Sequence, residues 1–174
     1  MNTEQLQRVI QCDTYMKNRI IGVFSADQLP HMQLGSETGL ITNTDPTHLP
    51  GRHWVAFYLN QQKELECFDS FGNSPAVYST FLAQFIKGYS KIDINPKCLQ
   101  SRNTNVCGQY CLLYLMCRCR GLSTQHFYNF FNDRTNTNDA FVYDFIKKGF
   151  SCCLHHCNRG QCSVSQIKVY ENYI

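Results

Sequence analysis

The sequence predicts an α+β domain in which helices pack around a small central sheet. Short apolar runs rich in β-branched and aromatic residues, typical of buried strands, recur through the first half of the chain. Apolar residues at three- and four-residue spacing, typical of helices, open the chain and dominate its second half. The 174 residues contain no repeats or low-complexity tracts and are enough for one domain with a real core.

Taken in order, Thr3–Cys12 predicts a short amphipathic helix that is capped by Thr3 and buries Leu6, Val9 and Ile10. The run Ile20–Phe24 predicts a strand, followed by a polar turn. Residues 31–50 read mostly as loop, with Gly39–Asn43 as a strand within it.

The clearest strand pair begins at His53. His53–Leu59 is a nearly continuous apolar run, and after a polar turn the chain returns through Leu65, Cys67 and Phe68. This pattern predicts strands buried on both faces. If the two strands form an antiparallel hairpin, the start of one lies beside the end of the other, so we expect His53 and Asp69 to meet at one edge.

Three further helices and one extended segment are predicted downstream of the hairpin. Residues 76–87 form a helical pattern, 92–99 an extended piece interrupted by a proline, and Ser123 and Asp139 can each cap a helix. The residues expected on the buried faces of these helices are Val77, Phe81, Leu82 and Phe85 for the first, Phe127, Phe130 and Phe131 for the second, and Phe141, Val142, Phe145 and Ile146 for the third.

A central helix begins at Cys107 and stops at Gly121. Its apolar residues recur at helical spacing, which predicts one face in the core, and the preceding Asn103–Asn105 offers cap chemistry. Cys107 therefore falls in the first turn, where unpaired amides and the helix dipole favour a thiolate. Gln100 lies close enough upstream to offer an amide donor to a developing oxyanion.

Composition excludes several classes of protein. The formal charge of +3 falls short of a dedicated nucleic-acid binder, and the chain shows neither an apolar run of membrane-spanning length nor a signal-peptide layout. We therefore expect a protein that is not secreted and does not enter membranes. The eleven cysteines lie largely in apolar helical contexts, which favours reduced, intracellular thiols over a disulfide scaffold.

His53, Asp69 and Cys107 together have the side chains of a nucleophilic site. A thiolate needs an imidazole to take its proton and later protonate a leaving amine, and the imidazole needs an acceptor on its other nitrogen. The residues alone leave plainer interpretations open: Cys107 as one more buried thiol, His53 as a strand-edge histidine, and Asp69 as a turn former. Gln100 is distinguished only by its interval to Cys107.

Three motifs resemble adenain, the adenovirus maturation protease, in the same order and with nearly the same intervals. They are Gly51–Phe57 with its His-Trp pair, Cys67–Gly72 with an acid before an aromatic-glycine turn, and Gln100 seven residues before Cys107-Gly108. The resemblance covers most of residues 1–121 and weakens afterwards. The pattern is shared more distantly with proteases that remove ubiquitin-like modifiers, which use aspartate at the position of Asp69.

The resemblance implies a papain-related, circularly rearranged fold with a central mixed sheet flanked by helices. It implies that Cys107 is the nucleophile, His53 the general base and acid, and Asp69 the orienting carboxylate. Gln100 and the Cys107 amide would then form the oxyanion hole. Trp54 would pack beside the imidazole, and Gly108 would support the substrate side of the site.

The function implied is a cysteine endopeptidase that cleaves capsid or core precursors during maturation of a DNA virus or a Polinton-type element. Its chemistry needs no cofactor, and we expect a monomer in the host nucleus, the cytoplasm or the virion interior. Stimulation by DNA or by a viral peptide is a property of the family. Here the basic residues are Arg118, Arg120, Lys147, Lys148, Arg159 and Lys168. They are more typical of a solvated face than of a DNA site, and Cys98 does not align cleanly with the family's peptide-linking cysteine.

The last residues have a separate, Cys- and His-rich character. We divide the chain into a protease-like domain over residues 1–150 and a tail over residues 151–174 that packs on or extends it. Weak candidates for a zinc shell in the tail are Cys152, His155, Cys157 and Cys162, although their spacing matches no strong zinc pattern. Two alternative functions stay open: a protease acting on ubiquitin-like modifiers, and a non-catalytic zinc or nucleic-acid binding protein.

Overall fold

A mixed five-stranded sheet lies at the centre of the molecule, with its strands side by side in chain order. The structure is a computed structural model that describes residues 1–154. The strands are β1 Ile20–Phe24, β2 Thr38–Asn43, β3 Trp54–Leu59, β4 Leu65–Phe68 and β5 Ile92–Ile94. The two central pairs, β2–β3 and β3–β4, are antiparallel, whereas the outer pairs are parallel.

Helices cover both faces of this sheet. They are α1 Thr3–Cys12, α2 Thr80–Lys87, α3 Cys107–Cys119, α4 Thr124–Tyr128 and α5 Thr135–Leu154, and the described residues add short 3-10 turns at Met16–Asn18, Ala26–His31 and Pro75–Val77. Helix α2 packs on one face, against Val55 and Phe57. Helices α1, α3, α4 and α5 pack on the other face, which presents Ala56 and Tyr58. The alternation along β3 follows from the two-residue period of a strand.

Helix α3 lies in the middle of the thicker layer. Every residue from Cys107 to Cys119 except Arg118 is buried, so the expectation of a single core-facing side was wrong. The reason is that the sheet covers one side of α3 while α1, α4 and α5 cover the others. Phe68 of β4 stacks on Tyr114 of α3, with ring centroids 4.4 Å apart, and so fixes the helix against the strand that precedes Asp69.

The predicted strands are all present, and the hairpin has the expected antiparallel register. Several helix boundaries differ. Asn2 rather than Thr3 caps α1, through a reciprocal side-chain pair with Gln5. Helix α2 begins only at Thr80, after a separate 3-10 turn, and this leaves Val77 72% exposed instead of buried.

The C-terminal helices also differ from the prediction. Ser123 caps α4 as expected, but α4 ends at Tyr128, before Phe130 and Phe131. Helix α5 begins at Thr135, so Asp139 lies inside the helix and does not cap it. The cap ahead of α3 was also misassigned, because Val106 occupies the cap position without a side-chain hydrogen bond.

A disulfide joins Cys12 at the end of α1 to Cys153 near the end of α5. This corrects the expectation that the thiols are reduced. The two helices pack side by side, and the bonded cysteines are 141 residues apart in sequence. Cys111, Cys117 and Cys119 are free and buried, as predicted for core thiols, whereas Cys98 is free and exposed.

The basic residues at the end of α3 do not form a solvated face. Arg118 binds Glu66 at 2.7 Å and Arg120 binds Asp13 at 2.7 Å, with all four side chains largely buried. Of the other expected basic residues, Lys147 lies over the ring of Tyr143, and Arg159 and Lys168 lie outside the described residues. Over residues 1–154, no helix combines the length and apolar character that crossing a bilayer requires.

Candidate active site

The edge of the β3–β4 hairpin brings His53 and Asp69 together. His53 immediately precedes β3 and Asp69 immediately follows β4, and Ala56 pairs with Phe68 between them. His53 Nε2 lies 2.6 Å from Asp69 Oδ1, and both side chains are buried. The contact follows from strand pairing, because antiparallel neighbours place their opposite ends at the same edge of the sheet.

Asp69 is held by a set of donors around both carboxylate oxygens. The backbone N–H of Phe71 donates to Oδ1, and the backbone N–H of Asn73 and the hydroxyl of Tyr78 donate to Oδ2. Burial raises the pKa of this carboxyl, but the hydrogen bond and the charge of His53 outweigh burial and hold the pKa below its usual value. Asp69 is therefore an ionised, fixed acceptor for the imidazole.

Cys107 occupies the first position of α3 and is 8% exposed. Burial raises the pKa of its thiol, but the interaction with His53 and the nearby backbone N–H groups of Trp54 and Gly108 together hold the pKa below its usual value. Because Nε2 of His53 faces Asp69, Nδ1 is the nitrogen that remains for Cys107.

The imidazole of His53 is stabilised in its protonated form. Burial lowers its pKa, but hydrogen bonds with Asp69 and Cys107 raise it to about 9. A raised imidazole pKa beside a lowered thiol pKa favours an imidazolium–thiolate pair at neutral pH. The pKa shifts of other buried thiols have the opposite sign, since burial raises the pKa of both Cys117 and Cys119 to about 12.

Two aromatic rings lie against the imidazole. Phe71 stacks on His53 with centroids 4.8 Å apart, and Tyr78 lies 5.4 Å away in a tilted arrangement. Trp54, which we expected beside the imidazole, donates its indole N–H to the carbonyl of Met1 and packs near Gly108, and its packing against the imidazole stays a prediction. The indole thus lies at the start of α3, on the side of the nucleophile.

Gln100 is buried, and both ends of its carboxamide are engaged. The hydroxyl of Ser70 donates to Oε1 at 2.6 Å, and Nε2 donates to the backbone carbonyl of Thr104 at 2.8 Å. The carboxamide nitrogen carries two hydrogens and has two acceptors on Thr104, the carbonyl at 2.8 Å and the more distant hydroxyl oxygen at 3.3 Å. Its expected role as an oxyanion donor stays a prediction.

A cleft of about 550 Å³ opens beside Cys107. Its walls come from the first residues of the chain, the loop before β3 and the loop before α3, and include Met1, Thr47, Arg52, Trp54 and Asn105. Most of these groups are polar or small, which suits an extended backbone better than a large apolar side chain. The cleft gives the sulfur access to solvent.

Three residues of this region were not predicted as part of the site. Tyr78 contacts both Asp69 and His53, Ser70 orients Gln100, and buried Asn95 both accepts from the Asp69 N–H and donates to the Asp69 carbonyl. Ser70 lies inside a motif that carries the resemblance, so it could have been found. Tyr78 and Asn95 carry no signal in the sequence, because irregular segments bring them to the site.

In the part of the chain that the structure describes, no group of three or more His, Cys, Asp or Glu side chains is arranged to hold a metal ion. Of the weak zinc candidates, Cys152 is a half-buried free thiol. His155, Cys157 and Cys162 lie outside the described residues. The division into residues 1–150 and a tail over residues 151–174 stays a prediction.

No family model matches the chain. A stretch of 117 residues is 30% identical to a cysteine protease of African swine fever virus from a tick isolate, and 29% identical to the SUMO-1 cysteine protease of a pig isolate. Each match covers 62% of this chain and 41% of the relative. The chain thus spans about two fifths of the length of the curated relatives it matches.

A solved structure shares the fold. The crystal structure of the African swine fever virus pS273R protease matches with a TM-score of 0.54 and 18% identity, over 83% of this chain and 64% of the solved chain. This likeness establishes an α+β fold with a mixed five-stranded sheet and flanking helices. The chain is therefore distantly similar, in sequence and in fold, to a viral cysteine protease.

Proposed function

We propose that the chain is a cysteine endopeptidase of the adenain-like, papain-related type that cleaves precursor proteins during the maturation of a DNA virus or a virus-like element. One observation carries the proposal. His53 hydrogen-bonds with Asp69 and interacts with Cys107, and the pKa of the thiol is lowered although its residue is buried. The distant similarity to a viral cysteine protease supports the same reaction.

In the proposed mechanism the Cys107 thiolate attacks the carbonyl carbon of the scissile peptide bond. The tetrahedral oxyanion collapses, the C–N bond breaks, and His53 gives its proton to the leaving amine. Water then attacks the thioester while His53 accepts a proton, and expulsion of the Cys107 thiolate releases the acid product and restores the thiolate–imidazolium pair. Asp69 keeps its charge throughout and holds the imidazole by Nε2.

The oxyanion would be stabilised by the second N–H of the Gln100 carboxamide and by the Cys107 amide. Gln100 is suited to this role because the Thr104 carbonyl can only accept, so the carboxamide nitrogen must face Thr104 and the oxygen must face the Ser70 hydroxyl. In the same proposal, the cleft beside Trp54 receives the substrate backbone. No metal or organic cofactor enters any step.

A second candidate is removal of a ubiquitin-like modifier from host proteins. The observation that favours it is the name SUMO-1 cysteine protease carried by one of the matched relatives. The chemistry at Cys107 would be identical, and only the substrate would differ. Stimulation by DNA or a peptide, the monomeric state, and action inside the cell or virion remain part of our proposal for either substrate.

The test is a cleavage panel with the purified chain and its Cys107→Ala variant. The substrates are capsid and core precursors encoded beside the gene, SUMO-1 and ubiquitin fusions, and an unrelated unfolded protein. Cleavage of precursors at defined sites by the native chain alone supports the proposal. Exclusive cleavage of modifier fusions would replace it with the second candidate.

Absence of any cleavage, together with stoichiometric zinc that survives mild chelation, would favour the non-catalytic zinc-binding alternative. Truncation before Ser151 separates the same possibilities. A protease with a dispensable tail keeps its intrinsic activity after truncation, whereas a protein that acts through the tail loses its function.

A further inference from the structure

The loop that carries Gln100 is fastened to α5 by a buried carboxylate. Asp139, which is 4% exposed, accepts the backbone N–H of Ser101 at 3.1 Å and the hydroxyl of Thr104 at 2.7 Å through Oδ2. Its other oxygen accepts the hydroxyl of Tyr110 of α3 at 2.9 Å. One side chain of α5 thus joins both sides of Gln100 to the helix that begins with Cys107.

The neighbouring residue reinforces the same attachment. Asn138 is 2% exposed, and its amide nitrogen donates to the carbonyl of Leu99, the residue just before Gln100. The loop is therefore held by α5 at residues 99, 101 and 104. Gln100 lies between these attachment points, and its side-chain nitrogen Nε2 donates to the carbonyl of Thr104.

The hydrogen bonds form a directed chain. The Thr104 hydroxyl has a single proton and two acceptors within reach, and the carboxylate at 2.7 Å is nearer than the Ser101 carbonyl at 3.1 Å. A charged acceptor also forms the stronger bond. The Thr104 hydroxyl therefore donates to Asp139. This hydrogen bond holds Thr104 in place, and the carbonyl of Thr104 in turn accepts the side-chain N–H of Gln100.

We infer that Asp139 is a positioning residue that holds the Gln100 carboxamide in place through Ser101 and Thr104. The catalytic consequence rests on the proposed function, in which Gln100 donates to the oxyanion. Without Asp139, the loop loses two of its anchors and Gln100 can rotate away from a donor geometry. The thiol–imidazole pair does not depend on this loop, because its contacts are with Asp69 and the start of α3.

The variants are Asp139→Ala, Asp139→Asn and Thr104→Val, with Asp144→Ala as the matched control. Asp144 is an exposed acid on the same helix and pairs with Lys148. Asn at position 139 can still accept from Ser101 and Thr104, while its amide donates to a Tyr110 hydroxyl turned toward Leu99. Thr104→Val removes one end of the attachment without emptying the buried site, in case Asp139→Ala does not fold.

Four quantities are measured for each folded variant. They are kcat and KM for a cleaved substrate, the rate of Cys107 alkylation by a small haloacetamide, and the NMR signal of the Gln100 side-chain amide, assigned by its loss in Gln100→Glu. Loss of one oxyanion donor lowers kcat by about 100- to 1000-fold, so we expect a fall of at least about tenfold for Asp139→Ala and Thr104→Val. KM and the alkylation rate should stay within about threefold.

In those two variants the Gln100 amide signal should shift and lose its protection from hydrogen exchange, and Asp139→Asn and the control should keep it. The inference is overturned if the Gln100 amide signal is unchanged in Asp139→Ala and Thr104→Val. It is also overturned if this amide loses as much protection from hydrogen exchange in Asp139→Asn as in Asp139→Ala. If the native chain cleaves nothing, the proposed function fails, while the amide signal still decides whether Asp139 positions Gln100.

Discussion

Replacing His53 with alanine should remove the unusual reactivity of Cys107 at mildly acidic pH. The structure predicts this because the imidazole is the main group that lowers the thiol pKa, against the opposing effect of burial. The paired state persists up to the pKa of His53, which is about 9, since above that value the imidazole loses its proton. Native Cys107 should therefore react well below the range in which ordinary thiols ionise.

The size of the effect follows from the thiolate fraction. A thiol with the ordinary pKa of about 8.5 is ionised in about 0.3% of molecules at pH 6, so full ionisation offers up to about 300 times more nucleophile. A thiolate of low pKa is intrinsically less reactive, with a Brønsted slope of about 0.4–0.5, which cancels part of this gain. We expect the native chain to react at least about tenfold faster than His53→Ala at pH 6.

The assay is timed labelling with a haloacetamide between pH 5 and 9, followed by peptide mapping of each cysteine by mass spectrometry. His126→Ala is the control, because His126 is exposed on α4 and contacts Phe130 rather than the site. Exposed Cys98 serves as an internal reference thiol in every sample. Identical rates and pH profiles for Cys107 in the native chain and in His53→Ala would refute the reasoning.

Three further predictions concern stability, and urea unfolding measures each. Cys12→Ser opens a loop that spans 141 residues, and the chain-entropy model predicts a loss of up to about 5 kcal/mol in unfolding free energy. Arg118→Met leaves the Glu66 carboxylate buried without its cation and should cost about 3–5 kcal/mol. Gly72→Ala should destabilise more than Gly121→Ala: both glycines have positive φ, but only at Gly72 would a Cβ meet backbone, at 2.8 Å.

A specific experimental outcome would contradict each of these three stability predictions. Equal stability of the native chain with and without a thiol reductant would contradict the disulfide prediction. Adding Glu66→Gln to Arg118→Met should recover part of the loss, and no recovery would mean that the unpaired charge is not its cause. For the glycines, equal losses at the two positions would show that the close approach at Gly72 is unimportant.

The hairpin edge was the most predictable part of the site. His53 and Asp69 are only 16 residues apart, and the alternation of their strands determines which ends meet. The placement of Cys107 beside His53 could not be derived in the same way. It depends on how α3 packs under β3, and that packing is decided by contacts such as Phe68 on Tyr114 that no local pattern encodes.

The mistaken assignments of Asp139, Arg118 and Arg120 share a physical cause. Asp139 has good cap chemistry, yet its carboxylate is used by the loop before α3, so α5 extends past it toward Thr135. Arg118 and Arg120 look like solvated charges in the sequence, but each has a buried acid as its partner. In each case a partner distant in sequence decided the outcome, whereas propensity and spacing describe only neighbours.

The hairpin and the central helix differ in when they can form. The contact between His53 and Asp69 needs only two adjacent strands. The Cys107 thiol, in contrast, is positioned only after folding of a helix that is synthesised later and is covered by α1 and α5. Local pairings form faster than distant ones, and synthesis delivers the hairpin first. We therefore expect a nascent chain to hold its acid–base pair before it has an activated sulfur, so that its chemistry begins only when folding is complete.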